Sequence, residues 1–201
     1  MRFVRGCFTF LGVITFLVLL AIVAGYFLLA LTPPLWSQRV PVALSAEAVE
    51  SLNQKLETLQ NEIEAAVEAK QEREVSLVIT EEEANSKLVE VLAEDKMPFK
   101  EILFNFREDN VFGFSILDNP GLKIKVVLKA KLEIAEGRTK VVVEDLNLGK
   151  LPLPKSMNKW AGYIMQILTE LITIPGELPW QITKIQISDG EVTVTGITKK
   201  V

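Results

Sequence analysis

The residues able to do chemistry are few. Three consecutive carboxylates, Glu81-Glu82-Glu83, follow Thr80, and four lysines, Lys123, Lys125, Lys129 and Lys131, alternate along one segment. A single cysteine, Cys7, lies near the start, and histidine is absent. That composition removes imidazole bases, Cys/His zinc sites and disulfides together. No Gly-x-Gly-x-x-Gly, phosphate loop or Gly-x-Ser-x-Gly occurs either, so neither a cofactor nor a metal is expected and a non-catalytic protein is. The glutamates have a simpler use. Thr80-x-x-Glu83 is a capping box, and acidic groups at a helix start complement its dipole. The lysine row makes a local field that could meet anionic headgroups or wall polymers, although a solvated sheet face is the plainer reading. Cys7 follows Val4-Arg5-Gly6, which lacks the Leu-small-small pattern of bacterial lipidation, and reads as an ordinary cysteine at a membrane edge.

Residues 6–38 carry no charged side chain, and Cys7 to Leu31 is an almost unbroken apolar run. As a helix it is about 38 Å long, enough to cross a hydrocarbon core of about 30 Å. It is too long for the apolar region of a cleaved signal. Arg2 and Arg5 precede it and no charge follows until Arg39, so the N-terminus is expected in the cytoplasm. Trp36 falls where an interfacial aromatic would. Residues 1–39 are thus read as cytoplasmic N-terminus, transmembrane signal anchor and Pro-containing connector, and 40–201 as an extracytoplasmic α+β domain at the cell membrane. Beyond position 39 the chain carries 19 basic against 26 acidic residues, a net of −7, which argues against nucleic acid as a partner.

Within 40–201, the segment 45–72 reads as a helix capped by Ser45, with Val49, Leu52, Leu56, Leu59, Ile63 and Ala66 in a heptad-like seam. The seam suits either self-association, or docking of an envelope protein, or contact with the chain's own domain. Residues 73–201 read as sheet and helices. Val75, Leu77 and Ile79 make a short strand before a helix with Ala84, Leu88, Val91 and Leu92 inward. Strands follow near Glu101–Arg107 and Val111–Leu117. Then Leu122, Ile124, Val126, Leu128, Ala130, Leu132 and Ile134 alternate with the lysines over a strand twice the usual length. Ala135-Glu136-Gly137-Arg138 turns it into Val141–Leu148. An antiparallel sheet with one apolar and one wet face is expected. Lys155 to about Ile174 reads as a helix apolar almost all round, and Gln181–Ile187 with Glu191–Ile197 as a hairpin on Ser188-Asp189-Gly190.

The stretch Ile79-Thr80-Glu81-Glu82-Glu83-Ala84-Asn85, the long alternating strands, Leu148-Gly149-Lys150-Leu151-Pro152-Leu153-Pro154 and the terminal hairpin resemble two bacterial groups over roughly residues 45–198. These are the YpmS-like membrane-anchored proteins and the LmeA-like phospholipid-binding domains. The resemblance implies a TULIP-like fold, in which a curved sheet wraps a long helix around an apolar channel, and binding of phospholipid outside the membrane. On that expectation an acyl chain lies between Trp160, Ile164, Ile167, Leu168 and Leu171 of the apolar helix and Leu122, Ile124, Val126, Leu128 and Leu132 of the strand face. Each buried methylene contributes about 0.8 kcal/mol. The alternative is an envelope scaffold docking partners through Val49, Leu52, Leu56, Leu59 and Ile63.

Overall fold

The computed structural model describes residues 2–94, 99–119, 122–152 and 179–199. It opens with α1, Arg2–Ala30, the one helix among the described residues long and apolar enough to cross a membrane, and its large apolar side chains from Val13 to Leu28 are exposed. Pro33 and Pro34 end it, because proline lacks the N–H that a further turn needs. A short 3-10 turn, Pro34–Gln38, and an extended connector lead to α2, Ala46–Glu68. Ser45 caps α2 as expected, its Oγ accepting from the Ala48 N–H at 3.1 Å. The helix stops at Glu68, short of residue 72. There Lys70 turns left-handed (φ 53°), and the Lys70 and Gln71 N–H groups close back on the Val67 and Ala66 carbonyls at 2.9 Å.

Next come β1 (Glu74–Thr80) and α3 (Glu81–Glu94), then β2 (Phe99–Arg107), β3 (Asn110–Asn119), β4 (Leu122–Ala135), β5 (Arg138–Leu148), β6 (Leu151–Pro152), β7 (Trp180–Ser188) and β8 (Glu191–Thr198). The protein is α+β, with every strand pair antiparallel. Among the described residues the strands form two sheets and not the single one expected: β1-β8-β7 and β2-β3-β4-β5-β6. Two-residue turns join β2 to β3, β4 to β5, β5 to β6 and β7 to β8. Glu108 and Asp109 at one, and Glu136 and Gly137 at another, have positive φ, the geometry whose twist matches the flanking strands. The expected helix over 155–174 lies outside the described residues.

The main core lies between the two sheets, α2 and α3. It joins Leu52, Leu59 and Ile63 of α2, Leu88 of α3, Val75, Leu77 and Ile79 of β1 and Val192 and Val194 of β8 to Phe104, Phe106, Val126, Leu128 and Ala130 of the larger sheet. The heptad-like seam is therefore in contact with its own domain: Leu52, Leu59 and Ile63 are buried, while Val49 and Leu56 are half-buried. On α3, Ala84 and Leu88 point inward as expected, but Val91 is exposed and Asn85 and Ser86 are buried in its place.

The outer sheet face is not simply wet, as the alternation led one to expect. A second, smaller core covers part of it, with Leu103, Phe112, Phe114 and Val127 beneath Leu35, Trp36 and Val42 of the connector. Val127, the one apolar residue in the lysine row, is what makes this possible. Trp36 meets Phe114 edge to face at 5.9 Å, with Lys125 Nζ 5.2 Å and Arg39 Cζ 5.5 Å from its ring centroid. Aromatic pairs of this kind and cations over indole each add about 0.5–1.5 kcal/mol.

Candidate functional site

The three glutamates all hold structure. Thr80 and Glu83 close the capping box, the Glu83 N–H donating to Thr80 Oγ1 (3.2 Å) and the Thr80 N–H to Glu83 Oε2 (3.0 Å). Glu83, buried, also accepts from Ser51 Oγ (2.7 Å) and pairs with Lys55 Nζ (2.7 Å). Burial alone would raise its carboxyl, but hydrogen bonds from Lys55, the Thr80 N–H and Ser51, with the Lys55 charge, hold it below its ordinary value. Glu82 accepts from Ser45 Oγ (2.9 Å), tying α3 to the cap of α2.

Glu81 faces the outer strand of the larger sheet. Its Oε1 accepts from the Phe106 N–H (2.6 Å), and one turn on, Asn85 exchanges two bonds with Phe104: Phe104 N–H to Oδ1 (2.7 Å) and Nδ2 to the Phe104 carbonyl (2.8 Å). Spacing of four residues puts both side chains on one helix face. The face thus stands in for a missing strand along β2. Asn105 does the same for the connector, bonding both the N–H and the C=O of Val40. An unpaired strand edge is a template for association, and these bonds leave fewer of its groups open along β2.

Most of the lysine row is neutralised. A bulge in β5 leaves Glu144 without a partner in the ladder, and its carboxylate sits between Lys129 Nζ (2.8 Å) and Lys131 Nζ (2.6 Å). The two lysines hold the Glu144 carboxyl below its ordinary value, and Glu144 raises Lys131. Lys125 is turned toward the end of α1, donating to Thr32 Oγ1 at 2.9 Å. Lys123 is left exposed.

The end of α1 is built into the sheet. The Lys150 N–H donates to the Leu28 carbonyl, one of the helix's terminal acceptors, at 2.8 Å, and the Gly149 N–H to the Lys125 carbonyl at 2.8 Å. Gly149 has φ +60°, and a Cβ there would lie 2.5 Å from the Leu28 oxygen, so both its backbone conformation and its contact require glycine. β4 and β6 thus start and finish beside the exit of the helix.

On the expected lipid-contact face, Ile124, Val126 and Leu128 are buried and Leu122 and Leu132 are half-buried on β4. The structure brings these five to one strand, but it sets Val126 and Leu128 among their own core neighbours. Trp160, Ile164, Ile167, Leu168 and Leu171 lie outside the described residues. Among the described residues no three of Cys, Asp and Glu gather as a metal site would require. What the sequence did not point to is the Leu28–Gly149–Lys150 junction; a glycine directly after a strand, beside a lysine, was its only trace. No protein-family model matches the chain, and no curated protein matches it.

Proposed function

We propose that the chain is a single-pass, membrane-anchored extracytoplasmic protein that binds a phospholipid or an acyl chain without catalysis. The observation that carries this reading is the place where the apolar face of β4 begins. Leu122 and Ile124 stand beside Lys125, whose side chain and carbonyl reach Thr32 and Gly149 at the exit of α1. A lipid leaving the bilayer along the helix meets that end of the strand first. Trp160, Ile164, Ile167, Leu168 and Leu171, which lie outside the described residues, are the further apolar side chains assigned to the acyl chain on this reading. Because Val126 and Leu128 are already covered and Leu132 packs against the same core, the acyl chain is held toward Leu122 and Ile124, at the α1 end of the strand.

Uncleaved anchoring is supported by the same junction, since cleavage would strip the folded sheet of its Leu28 and Thr32 contacts. Arg2 and Arg5 set the N-terminus in the cytoplasm. The test is mass spectrometry of organic extract from the full chain, purified in a detergent and washed with excess competing lipid. A stoichiometric phospholipid lost on Leu168→Asp supports the reading, whereas a lipid-free protein unable to retain a fluorescent fatty acid refutes it. An envelope interaction protein remains the second reading, but the burial of Leu52, Leu59 and Ile63 moves its docking surface away from the α2 seam.

A further inference from the structure

β1 is an outer strand, and its backbone groups alternate between β8 and the opposite side. The Arg73 carbonyl takes the Thr198 N–H (3.0 Å) and the Glu81 N–H reaches the Gly190 carbonyl (2.8 Å), so odd-numbered residues face β8 and its hairpin turn. Even-numbered ones face away. The Val78 carbonyl accepts from Lys55 Nζ (3.0 Å), and the Thr80 N–H donates to Glu83. By the same alternation the N–H and C=O of Ser76 and the N–H of Val78 point outward, and no bond to them occurs among the described residues. The corresponding groups of β2 are closed by Asn85 and Glu81. Those of β1 open into a groove of about 400 Å³ beside α2, lined by Gln54, Lys55, Thr58 and Glu62 with Ser76 and Val78.

We propose that this groove takes a short extended peptide from another protein, paired as an added strand on β1, with a basic side chain of the peptide against Glu62. Three observations select this occupant. The free donors and acceptor have strand spacing, which an extended backbone satisfies and a lipid tail does not. The Lys55 bond to the Val78 carbonyl ends the open edge, leaving room for three or four residues at about 3.3 Å each. Charge also selects: Lys55 is spent on Glu83, whereas half-buried Glu62 has no cation partner among the described residues. A second copy of this chain is disfavoured, since pairing edge to edge brings a second Glu62 to a groove whose one lysine is already paired with Glu83. The proposal stands apart from lipid binding, which uses the β4 face.

The experiment uses the full chain in phosphatidylcholine nanodiscs and two fluorescent pentapeptides of alternating Val and Thr, one with a central lysine and one with a central glutamate. Fluorescence polarisation should show the lysine peptide binding at least about tenfold more tightly, with Glu62→Lys reversing the preference. Ser76→Pro, at an outward N–H where an edge strand tolerates proline, should weaken it by about tenfold or more. If that variant fails to fold, a backbone N-methylated lysine peptide replaces it and should not bind. Absence of binding at millimolar concentration, or binding unaffected by Glu62→Lys, overturns the proposal. Dimers in which the Ser76 and Val78 amides are protected from exchange overturn it as well, assigning the edge to a second copy.

Discussion

Asn85 offers the sharpest test of the idea that a helix face replaces a strand along β2. It is 1% exposed and bonds both backbone groups of Phe104, which is 0% exposed. Asn85→Ala leaves a buried N–H and a buried C=O without partners, each costing about 1–3 kcal/mol. Water admitted by the shorter side chain recovers some of that, so the expected loss is about 3–4 kcal/mol, with the remaining contacts intact. Asn85→Asp separates this cause from simple loss of volume. Its ionised carboxylate still accepts from the Phe104 N–H but sets its second oxygen against the Phe104 and Glu81 carbonyls. At neutral pH it should therefore be at least as destabilised as the alanine variant. Protonation restores a donor in that position, so its folded-state pKa is raised and its deficit should shrink as pH falls toward 4. The assay is urea unfolding of the full chain in detergent micelles, followed by the fluorescence of its three tryptophans and extrapolated linearly. A cost below about 0.5 kcal/mol for Asn85→Ala, typical of a surface change, would refute the reasoning. So would an Asn85→Asp deficit independent of pH.

Glu83 should confer acid sensitivity. Its folded-state pKa is lowered below the ordinary 4.5, so its contribution is complete above that pH and is lost as pH falls through the lower folded-state value. At pH 7, Glu83→Gln should cost about 2 kcal/mol in the same unfolding assay, and the gap from wild type should close in acid. Lys70→Gly should stabilise by about 1 kcal/mol, because the C-terminal residue of the α2 stop is left-handed and only glycine adopts that conformation freely. Gly149→Val should loosen the sheet from α1: limited proteolysis in micelles should cut near residues 31–45, where wild type resists.

Local signals were readable wherever the bonding partner was near in sequence. Ser45 and Thr80 cap their helices, the alternation from Val75 and from Leu122 became β1 and β4, and Ser188-Asp189-Gly190 became a tight turn. Long-range choices were not. Nothing adjacent to Asn85 or Asn105 says that an amide will mimic a strand 19 or 65 residues away. Val91 fits the helical period as well as Leu88, yet the edge of β2 wanted polar groups on that side and turned Asn85 inward. The lysine row hid its exception in full view, since Val127 interrupts it and marks where the connector lies. Of the proposed lipid site only the β4 half falls on described residues; its two central positions serve the chain's own core.

The attachment of the sheet to α1 has a mechanical side. A flexible tether would let the domain beyond α1 rotate freely, but here a backbone bond to Leu28, Lys125 on Thr32 and Trp36 on Phe114 fasten it at three points. When α1 crosses a bilayer, its tilt becomes the tilt of the sheet. A strand of 14 residues is about 45 Å long, so a change of about 20° in helix tilt, the kind that bilayer thickness imposes, sweeps its far end by about 15 Å. On the membrane-anchored reading proposed above, the bilayer sets the bearing of the sheet.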